Sequence, residues 1–175
     1  DGGIVIPDPQ DGAAVDARPP SPTCSAYCAS VESACVGENA AYSNTSECLA
    51  LCDAMPLGAV GDRSGDSIAC RSYHAGTVPP RCAAAGPWGG ETCGSRCESF
   101  CRTAEALCPD AYETVASCIK VCAATPGIRW DAGAVDGVGG PSSGNTLNCR
   151  AHYLRRAVSD PSACANVALV APACE

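Results

Sequence analysis

Along this chain the residues that recur at helical spacing are cysteines, set in Ala-rich stretches, rather than large aliphatic side chains. Cys24 and Cys28 fall one turn apart on a helix, and Cys35, seven residues further, returns to the same face. Cys97, Cys101 and Cys108 repeat that pattern, and second C-x3-C pairs follow at Cys48/Cys52 and Cys118/Cys122. Caps and breakers set the limits of the helices. Ser95-Arg96-Cys97-Glu98 reads as a capping box, and Asn44 with Glu47 and Asp110 with Glu113 place an N-cap three residues before a Glu. Pro22 after Ser21 suits a first helical position, and Gly37, Pro56, Gly76, Pro126 and Pro161 stop what precedes them. Because Ala favours helix, the pattern predicts helices near 22–36, 45–55, 67–75, 96–108, 111–124 and 146–158.

The order of cysteines also predicts a duplication. Each half begins C-x3-C-x6-C, continues with a second C-x3-C, and later carries Cys70-Arg71-Ser72-Tyr73-His74 or Cys149-Arg150-Ala151-His152-Tyr153. The expected fold class is all-α and disulfide-rich: two tandem three-helix modules, 24–93 and 94–175, each with four disulfides. They meet at Gly94 with almost no linker and should pack together or stack end to end. Residues 1–23 differ in kind. Five prolines (Pro7, Pro9, Pro19, Pro20, Pro22) with Gly2, Gly3 and Gly12 suit an extended arm. Its apolar triplet Ile4-Val5-Ile6 is the expected anchor on a partner.

Composition says what holds such modules together. Sixteen of 175 residues are Cys, against one Phe, one Met and two Trp. Ala buries little area, so the core is thin, and disulfides at ~2–4 kcal/mol each are the natural supplement where the compartment is oxidising. The protein is therefore expected outside the cytoplasm, extracellular or at a cell surface. No charged segment followed by an apolar one opens the sequence, so any signal peptide is expected to have been removed. No apolar run approaches the ~20 residues of a membrane span. The net charge of −8 argues against nucleic acid.

Helix geometry orders the cysteines further. In an antiparallel hairpin, paired positions keep a constant index sum, which selects Cys24–Cys52 with Cys28–Cys48, and Cys97–Cys122 with Cys101–Cys118. Cys35 and Cys108, near the hairpin tip, are then expected to take Cys70 and Cys149 from the third helix. Cys82 with Cys93, and Cys164 with Cys174, would close short loops.

The paired C-x3-C segments resemble the twin C-x3-C hairpin of small mitochondrial intermembrane-space chaperones. The fuller pattern, ending in Ala85-Gly86-Pro87-Trp88-Gly89-Gly90-Glu91-Thr92-Cys93-Gly94, resembles a repeat of cysteine-rich surface proteins and lipoproteins of Gram-negative bacteria. The second module departs from it, ending Val170-Ala171-Pro172-Ala173-Cys174. That resemblance implies a location and an architecture.

Candidate chemistry is sparse. Zinc ligands usually come as C-x2-C knuckles, which the sequence lacks, so disulfides are expected and no metal, cofactor or catalytic residue is assigned. His74 and His152 exchange places with Tyr73 and Tyr153, which suits an aromatic pair covering a cystine better than a ligand with one fixed geometry. Asp131 and Asp136, among Gly133, Gly137, Gly139 and Gly140, lack EF-hand spacing and read as a solvated loop. Trp88 and Trp130 are the candidate partner contacts. Asn44-Thr45-Ser46 matches a glycosylation sequon.

These readings point to a non-enzymatic structural subunit of an extracellular or cell-surface assembly, a filament among the possibilities, with the arm as connector. It would associate with itself or with another surface protein. The arm and first module carry most of the negative charge, so a head-to-tail contact would bring them against Arg150, Arg155 and Arg156. A periplasmic binding or accessory subunit of a redox complex, or an inhibitor-like module, is the alternative, and an uncharacterised enzyme the third reading. A sharp visible absorbance band would separate the redox reading from the structural one.

Overall fold

The structure is a computed structural model that describes residues 21–124, 128–133 and 136–175. The arm's Ile4-Val5-Ile6 and the expected stop at Pro126 lie outside the described residues. Seven α-helices occur among the described residues: α1 (Cys24–Ala34), α2 (Thr45–Cys52), α3 (Ile68–Ala75), α4 (Cys82–Ala85), α5 (Arg96–Leu107), α6 (Val115–Ala123) and α7 (Leu147–Arg156). Short 3-10 turns at Gly37–Asn39, Gly89–Glu91, Pro161–Asn166 and Pro172–Cys174 complete the regular structure.

Side-chain caps fix where the helices begin. Thr23, Asn44, Ser67, Ser95, Thr114 and Thr146 each accept a bond from the backbone N–H three residues on, satisfying a donor with no intrahelical partner. Two expected starts move. Thr23 rather than Ser21 caps α1, and α6 begins after Thr114, which forms a capping box with Ser117, rather than at Asp110.

All sixteen cysteines are paired, and the eight disulfides stay within 24–93 or within 97–174. The nested hairpin pairs are those expected: Cys24–Cys52, Cys28–Cys48, Cys97–Cys122 and Cys101–Cys118. The other four are not. Cys35 bonds Cys82 instead of Cys70, Cys108 bonds Cys164 instead of Cys149, Cys70 bonds Cys93, and Cys149 bonds Cys174. The reason is a fourth element in each half. The single turn α4 and the 3-10 turn Pro161–Asn166 carry Cys82 and Cys164 to the ends of α1 and α5. Cys70 and Cys149 instead sit in small clusters of their own, with Ala84 and Cys93, and with Ala171 and Cys174.

Two larger cores form around the hairpins, and they interpenetrate. One gathers Tyr27, Val31, Leu51, Met55 and Ile68; the other gathers Phe100, Ile128, Leu147, Leu154 and Val167. Trp88 belongs to the second core although it precedes Gly94, and Leu107 and Val158 pack against the first. Residues from either side of Gly94 therefore pack into both cores. Close approach is enforced by glycine. A Cβ on Gly137 would come 2.2 Å from the Ala40 carbonyl oxygen, and Gly94, at φ +91°, would drive one to 2.6 Å from Asp66 Cβ.

Candidate functional site

The most polar features of the fold are buried, and they repeat. Arg71 and Arg150, the arginines after the repeated Cys, are 0% and 1% exposed. Arg71 Nη1 donates to the carbonyl of its own N-cap Ser67 (3.2 Å), Nε to Gly86 O (3.1 Å) and Nη2 to Pro87 O (3.1 Å). Arg150 Nη1 likewise donates to the carbonyl of Thr146 (3.1 Å), Nε to Ala168 O (3.0 Å) and Nη2 to Leu169 O (2.7 Å). In each half one guanidinium ties the start of the third helix to the segment that leads into the last cysteine. The rigid planar fork suits this task, since it satisfies three buried carbonyls at fixed angles. Desolvation lowers the Arg150 pKa from its usual value.

The two arginines differ in what lies beyond them. Arg71 Nη2 also reaches Asp66 Oδ1 (2.7 Å) and Ser99 Oγ (3.0 Å). The Ser99 hydroxyl donates in turn to Asp66 Oδ1 at 3.0 Å, and Arg102 Nε donates to Asp66 Oδ2 at 3.1 Å. Ser99 and Arg102 belong to α5, so a carboxylate of the first half is the polar centre of the junction with the second.

A second ion pair joins the two disulfide sets. Arg155 of α7 pairs through Nε with Glu47 of α2, which is buried, and the other Glu47 oxygen accepts the Ser43 N–H at 2.9 Å. Beside the pair is a cleft of about 420 Å³ whose walls include Asn44, Val138, His152, Arg156 and Val158. Burial, then Arg156 and Arg155, lowers the His152 pKa, so the ring is neutral at pH 7. This changes the expected head-to-tail surface. Arg150 and Arg155 are consumed inside the chain, and Arg156 alone of the three stays exposed.

The other residues singled out in the sequence are placed as follows. His74 is buried, with Nε2 2.9 Å from the Arg63 carbonyl oxygen, and Nδ1 has no hydrogen-bond partner among the described residues. Its ligand atom and the Cys70 and Cys93 sulfurs lie within 4.8 Å of one another, but the sulfurs are bonded to each other and offer no thiolate. Tyr153 takes the matching place against Cys149 and Cys174, with its hydroxyl donating to Ser142 O at 3.2 Å. Trp88, expected at a partner surface, is 2% exposed against Phe100, with ring centroids 6.2 Å apart, because the second half itself covers it. Trp130 is half-buried, with the Arg96 guanidinium 4.8 Å above its ring, and Asp136 holds that arginine at 3.0 Å. Asp131 caps its own turn, accepting the Gly133 N–H at 2.9 Å.

The residues that sequence reasoning missed are Arg71, Arg150 and Asp66. The signal was the arginine shared by both copies of the C-R-x-[YH]-[HY] pattern, where attention fell on the aromatic pair.

These features define a disulfide-locked helical fold whose buried polar groups join its parts to one another. Residues 20–96 match the model of the BfoA family C-terminal domain, a span that takes in the first four disulfides and ends at the start of α5. No curated protein and no solved structure matches the chain.

Proposed function

We propose that the chain is a non-catalytic structural subunit of an extracellular or cell-surface assembly, with two tandem modules as rigid bricks and the arm of residues 1–23 as connector. One observation carries this reading: the disulfide loops overlap. Cys35 lies inside the Cys24–Cys52 loop and bonds outside it to Cys82, and the Cys70–Cys93 loop overlaps Cys35–Cys82 in turn. Residues 97–174 repeat the scheme. Such interlocking suits a part that must keep its shape under load. Its disulfide content fits an oxidising compartment, and no helix among the described residues is long and apolar enough to cross a membrane.

Electron microscopy and sedimentation of native material test the proposal. Ordered assemblies at the cell surface, weakened when residues 1–20 are deleted, are the expected result. A soluble monomer that labels no surface structure would overturn it.

A further inference from the structure

The hydrogen bonds of the two buried arginines superpose the halves residue by residue. Gly86 and Ala168 give the carbonyl to Nε, and Pro87 and Leu169 give the carbonyl to Nη2, so Trp88 corresponds to Val170. Asp66, just before the N-cap Ser67, corresponds to Asn145, just before the N-cap Thr146. In the first half this face is covered by α5: Pro87 and Trp88 are buried, and the Asp66 side chain is 5% exposed beneath Ser99 and Arg102. In the second half the same face is open. Leu169 is 51% exposed, Val170 is 77% exposed, and Asn145 is exposed.

The element that covers the face in the first half also has a counterpart. Aligning Cys24 with Cys97 sets Ala26 at the place of Ser99, Ala29 at that of Arg102 and Ser30 at that of Thr103. Ser99 and Thr103 are buried at the junction, whereas Ala26 and Ala29 are exposed and Ser30 is half-buried. One chain thus carries both sides of its internal junction in unused form: an apolar face at its carboxy-terminal end, and a small-residue helix face on α1. The substitutions agree with each other. Where Arg102 meets a carboxylate at the used junction, Ala29 would meet neutral Asn145, so no charge is left unpaired in the contact.

We infer that the face formed by Asn145, Leu169 and Val170 docks α1 of a second copy, repeating between chains the packing that joins the halves within one. The contact is heterologous, so each added copy presents a fresh face and the array stays open unless its rotation closes a ring. This deepens the structural reading proposed above and rests on it.

The test uses full-length oxidised protein with the photo-crosslinker p-benzoylphenylalanine at position 170, mixed with isotope-labelled chains so that adducts between copies are identified by mass. Adducts within residues 25–33 of the other copy are expected. The variants V170D and A29D, both at exposed positions, should each lower the association constant at least tenfold, and an N145D chain should associate with an A29R partner, restoring between copies the pairing of Asp66 with Arg102. If the wild type assembles and both variants assemble equally well, the face is wrong while the structural reading stands. Adducts to residues 1–20 would seat the arm on this face and likewise overturn the α1 assignment. A wild-type protein that remains monomeric at every concentration overturns both.

Discussion

Asp66 and Arg102 meet at 3.1 Å across the junction of the two disulfide sets, and the same carboxylate holds the buried Arg71 at 2.7 Å. Its two oxygens divide the work, Oδ1 taking Arg71 and Ser99 and Oδ2 taking Arg102. The two arginines are not equal partners: Arg71 is fully buried and Arg102 is 38% exposed.

That inequality sets the cost of removing each. Arg71→Ala would leave Asp66 without its buried counter-ion and remove the guanidinium bonds to the Ser67, Gly86 and Pro87 carbonyls, of which Ser67 and Gly86 keep a backbone N–H donor, a loss of about 3–5 kcal/mol. Arg102→Ala removes a solvent-screened pair and should cost under about 1 kcal/mol. Guanidinium unfolding of the oxidised variants measures both, and equal costs would mean that Asp66 does not discriminate between them.

Disulfide mapping checks the fold more directly. Proteolysis under non-reducing conditions should release peptides joined through Cys35–Cys82, Cys70–Cys93, Cys108–Cys164 and Cys149–Cys174, and alkylation of the unfolded, unreduced chain should label no thiol. Reduction should abolish helix by circular dichroism. The Ala-rich cores cannot offset an ordering cost of ~1–2 kcal/mol per residue without the cross-links.

Tyrosine titration reports on the cores. Burial pushes Tyr27 up to about 12, against the lowering effects of Arg71 and of the Tyr42 hydroxyl 2.6 Å away; burial likewise pushes Tyr112 up to about 12. Because these pKa values are raised on folding, their contribution to stability is fully present below the unfolded value near 10 and is lost as pH rises through 12. Tyr27 and Tyr112, and Tyr42, which burial also raises, should therefore gain phenolate absorbance only above the usual tyrosine range. A single phase near pH 10 would place these rings in water.

How much of this was legible in the sequence follows from what each feature depends on. The paired C-x3-C hairpins depend only on helix geometry, so Cys24–Cys52 and its three companions could be deduced from index sums. The remaining pairs depend on α4 and the turn at Pro161–Asn166, one to two turns long, where propensity gives almost no signal. The fate of Trp88 was hidden for a related reason. A lone Trp beside a Gly-rich segment reads as a contact residue, and only the packing of the second half against the first makes it core. Arg150 and Arg155 looked like surface charge because nothing in their neighbours announces the carbonyls or the Glu47 that receive them.

Overlapping loops make a mechanical prediction. Pulled from Cys24 to Cys174, the shortest covalent path runs through Cys24–Cys52, along residues 52–70, through Cys70–Cys93, on to Cys97, along residues 97–108, and through Cys108–Cys164 to Cys174. At up to ~3.6 Å per residue, with about 5.6 Å across each cystine, that path reaches about 170 Å, against about 540 Å for the reduced chain. The scheme is also redundant. Without Cys24–Cys52 or Cys70–Cys93, load passes through Cys35–Cys82; without Cys108–Cys164, it passes through Cys97–Cys122 and Cys149–Cys174. Replacing any one pair by serines should therefore lengthen the path by no more than about 30 Å. Single-molecule force spectroscopy with handles at residues 21 and 175 reads this length. An extension of several hundred ångströms in the oxidised protein, or after loss of one pair, would mean that the loops do not interlock and would remove the argument for a load-bearing part.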